Sequence, residues 1–417
     1  MSPDEILRLG IGIEPPWKLV GQRLDTSKRP HELHLRVEPE RGARYFCPQC
    51  SEPRPTHDFR ERTWRHLNFF QYPCYITAPV PRVKCPRHGV VQVMVPWVRK
   101  GTDFTLWFER RVLALVREKS VRAAALLAGI TDTRLWRIVR HYVQQPTRNR
   151  DFSTIRGVGI AESAGSRGRH RVTAFFDMDR NQEPVLFVTP GHGKETVLRF
   201  AAFLSEHGGA VGQIREVACD MSPALVQAVS ELIPNAVITV DWFHIVDVFT
   251  ESVERVRKLE CNERPSPENL QCALRKPGAF TQLTTDEPAA IAELISQTSD
   301  TATAWRIKEK LSWVRQAPTP CEARWRITHF LAWAEVHVSD TPRLEPVRQA
   351  LDTLAAQSDC LVQRWASTHT SALFELLNDG LEAARVRARE YRSTESLTTM
   401  IYLIGNSLPP GFEPKPT

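Results

Sequence analysis

The sequence predicts a multidomain α+β protein: a β-rich metal-binding head, a helix-turn-helix, and an α/β core interrupted by an all-helical insertion. Three observations predict it. Two ligand pairs of knuckle spacing, Cys47-Pro-Gln-Cys50 and Cys85-Pro-Arg-His88, flank a strand-rich stretch. The apolar period then changes from two to about 3.6 residues near position 105. From 157 to 241, short apolar runs and helical patterns alternate in the order strand, strand, strand, helix, strand, helix, strand.

Composition sets the bounds. A chain of 417 residues has room for several domains and more than one core. No uninterrupted apolar run reaches the ~18 residues of a membrane span, and no signal-like segment follows Met1, so a cytosolic protein is expected. Nine cysteines, an odd number, argue against a disulfide framework. Charge is uneven. Residues 1–150 carry 27 Lys and Arg against 14 Asp and Glu, a balance of +13, whereas residues 151–417 carry 28 against 34, a balance of −6. An excess confined to the first third points to a polyanion there, although a merely solvated basic surface is the simpler alternative.

In the head, assigned to residues 1–100, the alternation of Leu33, Leu35 and Val37 with His34, Arg36 and Glu38 predicts a strand within 31–46. Tyr75–Ala78 and Val80–Val83 read as the two arms of a hairpin returning to Cys85 and His88. The expected metal ligands are Cys47, Cys50, Cys85 and His88, a closed tetrahedral set for structural Zn2+. His57 and His66 are spare candidates for the fourth ligand. Arg60, Arg62, Arg65 and Lys84, interleaved with Trp64, Tyr72 and Tyr75, suit phosphate contact and stacking. The aromatic residues also suit the small core of a ribbon, the reading preferred for Trp64.

Residues 101–145 form the expected helix-turn-helix. Phe108, Val112, Leu115 and Val116 make one apolar stripe, Val121–Ala128 is a short helix, and Gly129 makes a tight turn. Thr131 or Asp132 caps the last helix, whose Arg134, Arg137 and Arg140 recur every three residues on the side away from Leu135, Ile138 and Val139. Those arginines fit a recognition helix in a major groove, or else the solvated face of a helical hairpin, and Arg122 on the preceding helix is a further expected DNA contact. Gln144–Arg150 is polar, contains a proline and reads as a linker.

In the core, first part 146–245, strands are expected at 157–160, 171–176, 185–188, 214–219 and 236–240, with helices over 194–206 and 223–232. That is the order of an RNase H-like fold. Such a fold gathers carboxylates to hold two divalent cations about 3.5–4 Å apart at a phosphodiester. Asp220, directly after the fourth strand, is placed either to serve there or to cap the next helix.

These blocks carry a resemblance. Gly159-Ile160-Ala161-Glu162-Ser163, Gly168-Arg169-His170-Arg171-Val172-Thr173, Asp220-Met221-Ser222-Pro223 and Asp241-Trp242-Phe243-His244 look like the ISL3 family of bacterial insertion-sequence transposases. The zinc pairs, Trp64-Arg65-His66-Leu67 and the helix-turn-helix fit the same family. So does Glu375-Leu376-Leu377-Asn378 with its arginine-rich continuation Arg385, Arg389 and Arg392. The resemblance spans nearly the whole chain.

It implies a DDE transposase using Mg2+ or Mn2+. Asp220 would be the second catalytic carboxylate and Glu375 the third, on a last core helix within 361–405. The helix-rich interval 246–360, including Ala302–Val314 and Ala323–Val336, would be an insertion, and 406–417 a tail. Asp241 and His244 would give support only. The implied partners are the element's terminal inverted repeats and target DNA, bound by a homodimer or larger assembly in the bacterial cytosol and nucleoid. One departure matters. Where the family has its first Asp, this sequence has Ala161, which offers no oxygen to bridge two metals. Glu162 cannot substitute, because neighbouring strand residues face opposite sides, and Asp177 and Asp179 lie too far along the next strand. The chain as written is expected to be catalytically dead. The alanine reads as a deliberate replacement, since Asp220 and Glu375 are intact; a naturally non-catalytic regulator is the alternative. The C-terminal stripe of Glu375, Glu382, Arg385, Arg389 and Arg392 suits metal at one end and the DNA backbone beyond, or a plain ion-paired surface helix.

Overall fold

The computed structural model describes residues 11–406 apart from 41, 148–149, 164–170, 181–182, 221, 264–298, 339–340, 368–378, 382, 385 and 388–392. Two compact units divide the chain between Tyr142 and Val143.

The first unit begins with a sheet in the order β1–β2–β6–β5, with β7 also paired to β6. Its strands are β1 (Trp17–Asp25), β2 (Glu32–Pro39), β5 (Thr56–Phe69), β6 (Tyr72–Cys85) and β7 (Gly89–Gln92), while β3 (Tyr45–Phe46) and β4 (Pro53–Arg54) pair separately. The alternation read in 31–46 appears as β2, where Leu33, Leu35 and Val37 are buried. Trp64 is core, 2% exposed and edge-on to Trp97. The hairpin expected within 75–83 is corrected. That segment is one continuous strand, β6, and the hairpin partner is β5, with the turn at Phe70 and Gln71.

Three helices follow. Helix α1 (Leu106–Glu118) starts on a Thr105 side chain that accepts from the Phe108 N–H, and buries Phe108, Val112, Leu115 and Val116. Helix α2 (Val121–Ala128) ends on Gly129 at φ +66°, where a side chain would strain the left-handed turn. Its N–H and that of Ile130 close onto the carbonyls of Leu126 and Ala125. Helix α3 (Asp132–Thr147) begins with the Arg134 N–H donating to Thr131 Oγ1, so Thr131 is the cap. The helix runs on to Thr147, so the first residues of the expected linker are helical instead.

The second unit holds a five-stranded sheet in the order β10–β9–β8–β11–β12. Its strands are β8 (Gly157–Ser163), β9 (Val172–Asp177), β10 (Val185–Pro190), β11 (Glu216–Cys219) and β12 (Val237–Val240). Strand β8 is central, antiparallel to β9 and parallel to β11. Helices α4 (Lys194–Glu206) and α5 (Pro223–Leu232) cover one face, closing a core around Ile160, Phe175, Phe200, Val217 and Cys219. Helix α11 (Thr394–Gly405) packs beside β10, where Val185 exchanges backbone bonds with the Asn406 side chain. Asn406 is therefore docked, not the start of a tail. Residues 407–417 lie outside the described residues.

A second core of the same unit is all helical. Helices α6 (Trp242–Glu263), α7 (Asp300–Arg315), α8 (Pro320–Val338), α9 (Glu345–Ala356) and α10 (Ser358–Gln363) pack around Trp242, Phe249, Ile307, Phe330, Leu351 and Leu361.

Candidate active site and metal centre

The first site is built by two turns. After β3 the chain folds back through Cys47–Cys50, with the Ser51 N–H donating to the Cys47 carbonyl. After β6 it turns through Pro86–His88 into β7. Their four ligand atoms, three Sγ and one imidazole nitrogen, lie within 4.8 Å of one another. Cys50 Sγ is 3.8 Å from Cys85 Sγ, and His88 Nδ1 is 3.5 Å from Cys47 Sγ and 3.4 Å from Cys85 Sγ. A tetrahedron with Zn–S near 2.3 Å and Zn–N near 2.05 Å has S–S edges of about 3.8 Å and S–N edges of about 3.5 Å. The residues therefore fit zinc. Burial pushes the Cys85 thiol up, but the N–H groups of Arg87 and His88, the His88 ring and Cys50 outweigh it, pulling the thiol down to about 6. A thiolate is what a metal needs. His66 is not a ligand. It is buried, with Nδ1 2.9 Å from Thr105 Oγ1.

The basic residues separate. Arg60, Lys84, Arg122, Arg134 and Arg137 are exposed, while Arg62 and Arg140 are half-buried. Arg134 lies over the Phe104 ring and 3.6 Å from Asp103, which is also 3.7 Å from Arg62. The expectation of DNA contact fails at Arg65. Its guanidinium is 9% exposed and donates to the carbonyls of His66 and Cys74 and to Asn68 Oδ1. A side chain spent on buried carbonyls has no face left for a phosphate.

The second site lies at the centre of the large sheet. Parallel pairing sets Cys219 against Ile160, which brings Asp220 level with Ala161. The Glu162 N–H donates to Asp220 Oδ2 at 3.0 Å. Ile160 faces α4 and α5, so Ala161 looks to the opposite face, and it is fully buried against its partner Ala174 on β9. Glu162 returns to the helix-covered side. Its Oε1 accepts the Gly193 N–H at 2.8 Å, at the N-terminus of α4, where a carboxylate also meets the helix dipole. Burial raises the Asp220 carboxyl, the Glu162 N–H and His244 lower it, and Asp241 and Glu162 raise it again. Asp241 and His244 thus lie close enough to Asp220 to bear on its ionisation, while Glu162 touches it through its main chain and turns its carboxylate to Gly193. Asp177 and Asp179 do not join them: Asp177 sits opposite Val158 and meets Arg180, and Asp179 accepts the Gly157 N–H. The expected third carboxylate Glu375, and Arg385, Arg389 and Arg392, lie outside the described residues.

Four zinc-type ligands and three short-linked helices thus occupy one unit, and a buried strand-end carboxylate the other. Residues 158–401 match a family described as transposase, of the ISL3 type with a DDE domain. Residues 93–143 match the helix-turn-helix domain of transposase family ISL3, and 44–88 the zinc-finger of transposases IS204, IS1001, IS1096 and IS1165. The chain belongs to the ISL3 transposase family. It is 29% identical over 231 residues to the transposase for insertion sequence element IS1557 of Mycobacterium tuberculosis, covering 55% of this chain and 51% of that relative. It is 24% identical to the transposase for IS1001 of Bordetella parapertussis, over 84% of this chain and 86% of that one. The matched stretch thus spans about half the length of the Mycobacterium relative. No helix among the described residues is long and apolar enough to cross a membrane.

Proposed function

We propose that this chain is the transposase of a bacterial insertion sequence, acting on DNA in the cytosol and nucleoid. The unit up to Tyr142 reads the terminal inverted repeats, with the zinc head at 1–100 and the helix-turn-helix at 101–145. The strand order supports an RNase H-like core at 146–245, completed by 361–405, with 246–360 as its insertion. Asp220 and Glu375 would hold Mg2+ or Mn2+, which polarises the scissile phosphate and activates the attacking hydroxyl. Arg60, Arg62, Lys84, Arg122, Arg134, Arg137 and Arg140 would contact duplex DNA, and Arg385, Arg389 and Arg392 the strand near the cut. Hydrolysis at the element ends precedes attack by the freed 3′-hydroxyl on target DNA, and two ends held together call for a homodimer or larger assembly.

One observation carries the reading: Asp220 follows directly on Cys219, the partner of Ile160, so it stands level with Ala161 and accepts the Glu162 N–H. With an alanine there, the chain as written binds and does not cut. Restoring Ala161→Asp and supplying Mn2+ with inverted-repeat DNA should give strand cleavage. A second reading has its own support. Ala161 is fully buried against Ala174, as a native small residue would be, and a regulator that only binds DNA would then remain inert after restoration.

A further inference from the structure

Helices α7 and α8 carry a partly exposed aromatic strip that neither the zinc ligands nor Asp220 uses. On α8, Trp325, His329, Trp333 and His337 recur every four residues, so successive rings are neighbours along a stripe that winds slowly round the helix. The Trp325 and His329 rings are 4.0 Å apart, and those of Trp333 and His337 4.6 Å. From α7, Trp313 meets Trp325 edge-on at 5.9 Å. Each histidine has its Nδ1 2.8 Å from the carbonyl of the tryptophan four residues before it. Trp325 is 50% exposed, and both histidines are exposed.

The charge beside the strip is cationic. Lys310 Nζ stands 5.3 Å from the Trp313 ring centre and 5.9 Å from that of Trp333, and among the described residues it has no carboxylate partner. The nearby acids Glu322 and Asp359 are already paired with Arg326 and Arg324. Trp325 leaves one ring half in water, while Trp313 and Trp333 are partly buried against the helical core; a protein partner would ordinarily meet such a ring with an aliphatic patch. Among the described residues of α8, the large exposed aliphatic side chain is Val336. A half-exposed Trp325 ring flanked by exposed imidazoles, with an ammonium over the neighbouring rings, complements something with flat π-faces and anions.

We infer that this strip is a stacking platform for unpaired DNA bases, with Lys310 on the strand's phosphates. Duplex DNA hides its base faces, so the ligand is a single strand, and stacking is tolerant of sequence. The inference rests on the transposase reading only for where such a strand arises, namely at an opened element end.

The test uses the full chain and a labelled strand of about fifteen thymidines, within the range of single-strand sites. Its controls are an abasic strand of equal length and an inverted-repeat duplex, read by fluorescence anisotropy. The unmodified chain should hold thymidines more tightly than the abasic strand. Trp325→Ala should weaken thymidine binding roughly 5- to 100-fold, Trp325→Phe should keep most of it, and duplex affinity should not move. Lys310→Gln, at an exposed position, should flatten the salt dependence. Equal binding of abasic and thymidine strands would reduce the strip to a phosphate contact and overturn the inference. So would an unchanged affinity in Trp325→Ala. Self-association that vanishes in Trp325→Ala would make the strip an interface between copies. Failure of the transposase reading shows separately, as absent inverted-repeat binding with the thymidine arm unaffected.

Discussion

Glu162 holds Asp220 through its main chain and Gly193 through its side chain, so one residue fixes both the carboxylate at the strand end and the start of α4. The side chain that would face Asp220 from β8 belongs to Ala161. A carboxylate restored there would stand beside an Asp220 whose own ionisation burial already opposes. Without metal, Ala161→Asp should therefore lose about 1–2 kcal/mol near neutral pH by like-charge repulsion. Millimolar Mn2+ should return that loss and more by binding the folded state. Thermal melting with and without Mn2+ reads both effects. A variant whose melting ignores Mn2+ would show that the two carboxylates share no ion.

Chelation tests the other metal centre. With S–S and S–N distances already those of a tetrahedron, the knuckles should hold one zinc per chain, countable by atomic absorption. Removing it leaves thiolates crowded at the ends of β3 and β6. Cys85→Ser should then lose the ion and the ordered pairing of β7, with amide exchange over 89–92 rising to that of a free segment. Protection of those amides in the metal-free protein would show that the strands stand without zinc.

Much of this architecture is legible in the chain, and the misreadings have physical causes. The core strands and α4 and α5 are short apolar runs bounded by turn residues, so pattern alone places them. In β6, Pro79 and Pro81 interrupt the run of strand-forming residues. They are harmless there: β2 pairs only with 74–77 and β7 only with 82–85, so the missing N–H groups face a gap between partners. Strand β1 is not legible in the sequence because its apolar residues do not alternate with polar ones, and apolar Val20 and Leu24 are exposed. Ligand spacing identified His88 and left His66 as a spare. Nothing in the sequence says that Thr105, some forty residues on, closes over the His66 ring. Arg65 looked like its exposed neighbours because a burial pattern broken by the irregularity after His66 is invisible to alternation.

That difference between arginines is measurable. Arg137 is exposed on α3, and among the described residues no carboxylate pairs with it. Arg137→Ala should weaken inverted-repeat binding by about 1–3 kcal/mol and lower the salt slope by about one unit. Arg65→Ala should instead leave the carbonyls of His66 and Cys74 without their donor, costing about 1–3 kcal/mol of stability. Its salt slope should match the parent's. A melting temperature equal to the parent's for Arg65→Ala, with a reduced slope, would return Arg65 to the DNA face.

The buried His66 makes the first unit acid-sensitive in a predictable direction. Burial, reinforced by the Arg65 guanidinium, depresses its imidazole to about 4 from an ordinary 6.5. Between those values the unfolded chain binds a proton that the folded one refuses, so stability rises with pH across the window. The contribution is complete above about pH 6.5 and is lost as pH falls toward 4, a swing of about 3 kcal/mol for a side chain with almost no solvent contact. Zinc is also released in acid, so the parent alone cannot isolate the effect. His66→Asn keeps a polar atom near Thr105 Oγ1 but cannot titrate. Melting temperatures of the two proteins should diverge between pH 7 and 4.5, the parent falling more steeply. Parallel curves would mean that His66 is protonated in the folded unit and that the ring is not sealed from water.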